Sequence, residues 1–196
     1  MATDVSICSN ALLRLGARPI NSFDDAALPG GVDRAMIARN LWPTVRDSVL
    51  RSHPWNCAIK RVVLSPEVAP PPFGFSHQFL LPGDWLRNHE INGVRVDQVD
   101  FVVEGRRILI DEATIHLRYI WKNTDVTTWD GLLVAAAELA MAVAMAYPIT
   151  QSDTREAQLY KILESTMQQA RTVDGQDDSP QTFGSFEILN ARRFMP

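Results

Sequence analysis

The stretch Ala35–Arg61, AMIARNLWPTVRDSVLRSHPWNCAIKR, constrains the fold most, because it holds a helix, a hard stop and the start of a strand in one run. Leu41, Val45 and Val49 recur every fourth residue, with Trp42 and Leu50 beside them, so one face is apolar at helical spacing. Arg39, Arg46, Asp47 and Arg51 take the other face. Asp47 and Arg51 stand four apart, the spacing of a surface ion pair worth a few tenths of a kcal/mol at most. Pro43 cannot donate to the carbonyl of Arg39, which predicts a kink or a fresh helix start there. His53-Pro54 ends the helix, because a residue before proline is pushed out of the α region. Trp55 then anchors the helix end. Trp42, Pro43, Pro54 and Trp55 are the expected structural anchors of this half of the chain.

Upstream, Thr3 or Asp4 caps a first helix. Cys8, Leu12 and Leu15 share a face with Val5 and Ala11. Gly16 suits a left-handed cap and Pro19 blocks continuation. NSFDDAALPGG reads as a loop. Downstream, from Cys57 to Lys122, the period becomes alternating. AIKRVVLS reads as a strand, VAPPPFGF as a proline-rich loop and FSHQFLLP as a second strand. LRNHEINGVRV predicts a hairpin with Asn92-Gly93 as its turn. VDFVVEGRRILID predicts another, turning at Glu104-Gly105. In TIHLRYIWK, Ile115, Leu117, Tyr119 and Trp121 face one way, and Thr114, His116 and Arg118 the other. The result is a small antiparallel sheet or barrel set between helices.

A third helix runs from about Trp129 to Tyr147, with Leu132, Ala136, Leu139, Val143 and Tyr147 inward and Pro148 as its end. Its alanines let another helix approach closely, within the chain or between chains. A fourth begins near Ser152 or Asp153, with Glu156 in a capping-box-like place. Tyr160, Leu163, Met167 and Ala170 form its apolar stripe. Beyond Gly175 the sequence turns polar and then carries Phe183, Phe186, Ile188, Leu189 and Phe194 with no helical or strand period. Such residues bury themselves only on their own domain or on a partner.

These segments predict an α+β fold. A bundle of about four helices carries an inserted antiparallel sheet or barrel and an extended C-terminal tail. The divisions fall at 1–55 for the first two helices, 56–124 for the β insert, 125–175 for the last two helices and 176–196 for the arm. Hydrophobic residues make up 46% of the 196, enough for a core, and the net charge is -4, so no global basic field draws the chain to nucleic acid or anionic lipid. Cys8 and Cys57 read as buried, reduced thiols. The first residues lack a signal-peptide pattern, and the apolar run Gly131–Tyr147 looks too short and too weakly apolar to span a bilayer. The expectation is a soluble protein made in the cell interior.

Chemistry is sparse. No phosphate-binding glycine loop is present. His53, His77, His89 and His116 show no metal-ligand spacing. The acidic pairs Asp24-Asp25, Asp111-Glu112 and Asp177-Asp178 fall in turns or loops, where such pairs are solvated. Trp85, Trp121 and Trp129 read, with Trp42 and Trp55, as core or interface anchors rather than a base-stacking platform. Lys60-Arg61, Arg106-Arg107 and Arg192-Arg193 are isolated doublets that suit subunit contacts and form no DNA-reading stripe. No catalytic residue, metal or cofactor is expected.

The run LWPTVRDSVLRSHPWNCAIKR resembles the tail tubular protein A (head-to-tail adaptor) family of tailed bacteriophages. The points of likeness are a helix with an internal proline followed by VRD, the HPW stop, and N-x-A-x-K-R. ICSNALLRLGARPINSFDD is similar to that family's opening, and the likeness returns near Arg155–Gly175. It implies a virion protein of the phage neck, made in the host cytoplasm. It would form a ring, of twelve copies, that joins the portal to the tail and prolongs the DNA channel. The implied partners are other copies of the chain, the portal protein, and a tail nozzle or stopper, with DNA passing through unread. Phe183, Phe186, Ile188, Leu189 and Phe194 then become a portal-binding arm, the alternative being a tail folded back on its own subunit. A net acidic channel protein also suits sliding DNA, since phosphate contacts would retain it. Rival readings are a tail terminator or stopper, a cell-wall hydrolase using Asp111 and Glu112, and a nucleic-acid-binding module.

Overall fold

Thr3 starts the first helix with a reciprocal cap, its hydroxyl accepting from Ser6 N at 3.1 Å while the Ser6 hydroxyl accepts from Thr3 N at 2.8 Å. The helix, α1 (Asp4–Arg14), buries Ile7, Cys8, Ala11 and Leu12. Gly16 takes a φ of 72°, a left-handed value that its missing Cβ permits. The computed structural model describes residues 1–27 and 31–177. Among these, the chain has four helices and seven strands in two antiparallel sheets, the α+β class its periodicities predict.

Asp33 caps α2 (Arg34–Arg51), which runs as one helix through Pro43 with no fresh start. Pro43 and Arg39 both lie on the exposed face, so the bond that proline removes is lost where water reaches the carbonyl. The polar face differs from expectation. Arg46 is buried, and Asp47 pairs with it and with Lys122 rather than with Arg51. Arg51 instead donates through Nη1 to the carbonyl of Leu86.

The β module follows. Strands β1 (Ile59–Leu64), β3 (Trp85–Ile91), β4 (Val94–Arg95) and β7 (Ile115–Trp121) form one sheet in the order β1-β7-β3-β4. Strands β2 (His77–Leu80), β5 (Val102–Glu104) and β6 (Arg107–Ile110) form the other, ordered β2-β6-β5. Their inner faces share one core, with Phe79, Ile108 and Ile110 meeting Ile91, Ile115, Leu117 and Tyr119. Ile120 points the other way and joins the helical core, so β7 ties the two halves together.

Asn92 and Gly93, at φ 53° and 80°, form the expected turn between β3 and β4. The second hairpin turns one residue later than predicted. Glu104 pairs with Arg107, and the left-handed pair is Gly105 and Arg106, at φ 49° and 65°. Arg106 is held there because its guanidinium donates to Pro82 O at 2.6 Å and its carbonyl accepts from Leu81 N at 2.9 Å.

Helix α3 (Gly131–Thr150) continues past Pro148, which stands in its last turn, and ends at Gln151 in a left-handed conformation. Gln151 N still reaches Tyr147 O, and the Thr150 hydroxyl reaches Ala146 O, so the end is closed despite the proline. The helix is 20 residues with a mean hydropathy of 1.9, long and apolar enough to cross a bilayer by length and composition, which corrects the sequence expectation. Its apolarity has a use within the fold, since α1, α2 and α4 (Asp153–Gln176) all pack on it. The single inward stripe predicted for α3 therefore fails. Leu133, Ala137, Met141, Ala142, Met145 and Ala146 are buried alongside Ala136 and Leu139, while Tyr147 is exposed. On α4 the stripe starts at Leu159, and Tyr160 faces solvent. Ser152, not Asp153, is the cap, accepting from Arg155 N at 3.3 Å.

Candidate interaction site

The α2 stop and the middle of β3 meet at the seam between helices and sheets. Trp55 is buried, donates from Nε1 to Val49 O at 3.0 Å, and has His53 edge-on with ring centres 4.7 Å apart. Trp42 is also buried, with its ring 6.2 Å from that of Trp129. Pro43 is exposed within α2, and Pro54 is half-buried on the wall of a cleft.

That cleft holds about 500 Å³. Pro54, Trp85, Val96, Phe101 and Val103 give it an apolar wall. Arg51, Arg87 and Arg95 give it a cationic one, with His89 beside them. Arg51 also stands over the Trp85 ring, 6.0 Å from its centre. Arg171, near the end of α4, adds its charge to the same neighbourhood, because it acts on both Arg87 and His53.

Carboxylates only partly offset these cations. Asp174 lies 3.5 Å from His53 and accepts from Asn56 N, and Asp97 lies 3.5 Å from Arg95. Glu90 is shared between Arg118 at 3.0 Å and His89 at 3.6 Å. Among the described residues, Arg87 and Arg171 have no hydrogen-bond or ion-pair partner. Burial, and then Arg51 and Arg171, push the Arg87 guanidinium below its ordinary range. Burial lowers His53, and Arg171, Arg87 and His89 lower it further. Burial lowers His89 as well. Glu90 opposes that shift, and Arg118, Arg87 and Arg95 reinforce it. Both imidazoles are therefore neutral at pH 7, and the fixed positive charge comes from arginine.

A second polar cluster braces the sheet. Asp84 accepts from Lys60 Nζ at 2.6 Å and from the Tyr119 hydroxyl at 3.0 Å. Burial pushes the Asp84 carboxyl up, but these two bonds outweigh it and hold the carboxyl below its usual range. The same environment pushes the Tyr119 phenol up to about 12, by burial first and Asp84 second. Lys60 also covers the Trp121 ring at 3.6 Å.

Asp24 pairs with Arg39 at 3.2 Å, and Asp25 accepts from Asn21 N. Asp111 accepts from both the backbone and the hydroxyl of Ser76, which holds its carboxyl below the ordinary range. Among the described residues, no three His, Cys, Asp or Glu side chains converge as a metal site. The proposed arm residues Phe183, Phe186, Ile188, Leu189 and Phe194 lie outside the described residues, as do Asp178, Arg192 and Arg193.

The arginine cluster was not visible as a motif. Arg51, Arg87 and Arg171 belong to three elements and stand singly in the chain, so only the fold assembles them. The architecture defines the class, an α+β protein whose helical bundle carries a two-sheet β module between its second and third helices. Neither models of known families nor curated protein sequences match the chain.

Proposed function

We propose that this protein is a head-to-tail adaptor of a tailed bacteriophage, a ring-forming subunit that joins the portal to the tail and prolongs the DNA channel. The resemblance carried by LWPTVRDSVLRSHPWNCAIKR supplies the family. The observation that favours an interaction protein is the cleft, where Arg51, Arg87 and Arg95 face an apolar wall and, among the described residues, Arg87 has no hydrogen-bond or ion-pair partner. Such a surface suits protein contacts, which favour arginine and aromatic anchors. Large exposed apolar side chains on all four helices, Leu13, Met36, Tyr147, Tyr160 and Ile162, add further contact material. Near its end α4 lies at the seam, where Asp174 meets His53 and Asn56, and in this reading the residues Gln181 to Phe194 are the portal-binding arm.

The hydrolase reading is less well supported. A glycosidic general acid needs a raised carboxyl pKa, and Asp111 is shifted the other way. Co-sedimentation with purified portal rings tests the proposal. The full chain is expected to pellet with the rings, and a chain stopped after Gln176 to remain in solution. Equal binding by both would refute the arm. Absence of binding by the full chain would refute the adaptor role.

A further inference from the structure

We infer that the arginine cleft at the helix–sheet seam is one half of a head-to-tail contact between copies of this chain, and that its occupant is the acidic first half of α4 on the next copy. The inference rests on the ring reading above and names the two faces that would build the ring.

The two faces complement each other. On one side, Arg51, Arg87 and Arg95 line an opening whose other wall is apolar, with Trp85, Pro54 and Phe101 at hand, and Arg171 of α4 adds its charge to that of Arg87. On the other, Asp153, Glu156 and Glu164 flank Tyr160 along α4, with Lys161 beside them and the guanidinium of Arg155 turned to Arg14 O. Among the described residues those three carboxylates enter no salt bridge, and Tyr160 is 52% exposed. An exposed tyrosine between carboxylates matches a cleft with an apolar wall and a cationic rim. The ring enters the opening while the acids meet the arginines, of which Arg87 and Arg171 have no hydrogen-bond or ion-pair partner among the described residues.

The outer acids of α4 cannot reach its own Arg171 within one copy. Asp153 and Arg171 stand at opposite ends of α4, about 27 Å apart at the helical rise. The contact is therefore heterologous, with different patches meeting, and such contacts close into rings when the rotation between copies permits.

Charge reversal of the full-length protein tests this. One variant carries Arg87→Glu with Arg171→Glu, a second carries Asp153→Lys with Glu156→Lys, and circular dichroism verifies that both fold. Association is read by sedimentation velocity at low salt and by assembly on portal rings. Each variant alone is expected to self-associate about a hundredfold more weakly than wild type, since like charges then face each other. Mixing the two variants in equal amounts is expected to restore association. Variants that assemble like wild type, or folded variants that mixing does not restore, overturn the contact while leaving portal binding intact as support for the adaptor. Wild type that stays monomeric both alone and on portal rings overturns the contact and the adaptor reading together. A labelled single-stranded 30-mer that binds wild type but not the arginine variant, with no self-association, would assign the cleft to phosphate instead.

Discussion

Removing the Asp47 carboxylate probes the link between the helices and the sheets. Arg46 is 6% exposed, and both its Nε and Nη2 point at one oxygen of Asp47, at 3.0 and 2.9 Å. Lys122, just past β7, reaches the other oxygen at 2.8 Å. Asp47→Ala leaves a buried guanidinium with no counter-charge. Breaking a buried pair in this way costs about 3–5 kcal/mol. The Asp47 carboxylate is 24% exposed, which admits some water and places the cost at the low end, about 3 kcal/mol. The Lys122 side chain is 40% exposed, so its half of the network adds less than about 1 kcal/mol. For a chain of this length a loss of 3 kcal/mol lowers the melting temperature by about 6–12 °C. Arg46→Met removes the charge and keeps the volume, and is expected to cost about 1 kcal/mol or less. The double variant should then be more stable than Asp47→Ala alone. Urea unfolding followed by tryptophan fluorescence measures all three. A cost of a few tenths of a kcal/mol for Asp47→Ala, the value of a surface pair, would refute the buried network. So would a double variant no more stable than the single.

Three other results are expected. His53 and His89 have folded-state pKa values below their ordinary 6.5, so the unfolded chain binds their protons more readily; stability is whole above about pH 6.5 and falls as the pH drops below it, and His53→Asn with His89→Asn should flatten that fall in urea titrations. Trp55→Ala should cost about 3–5 kcal/mol and Trp55→Phe about 1–2, the latter reflecting the lost bond to Val49 O; a Trp55→Phe variant as stable as wild type would mean that the indole N–H contributes nothing. Burial pushes both cysteine thiols up to about 12, so Ellman's reagent should label the native protein slowly at pH 8 and the urea-unfolded protein at once.

Local rules made much of this fold legible. The Thr3 cap, Gly16, the His53-Pro54 stop and Asn92-Gly93 act within a few residues of themselves, and the structure has each as the sequence implies. Tertiary packing decided what local rules could not. Arg46 sits on what reads as a polar helix face, but the sheet and Lys122 close over that face and bury it. In α3, neighbours on three sides erase any single stripe, so Tyr147 reads as buried and is exposed. The Gly105-Arg106 turn depends on Pro82 and Leu81, far away in sequence. The arginine cleft was illegible for the same reason. Its residues share no period and no motif, and their significance arises only when α2, β3 and α4 converge.

The adaptor role itself is tested most directly by the mass of the complex formed when the purified 21.9 kDa chain is mixed with the cognate portal ring, read by light scattering. The account predicts one copy of the chain bound per portal subunit, saturating at that ratio. A portal ring whose mass is unchanged in the presence of excess protein would contradict it.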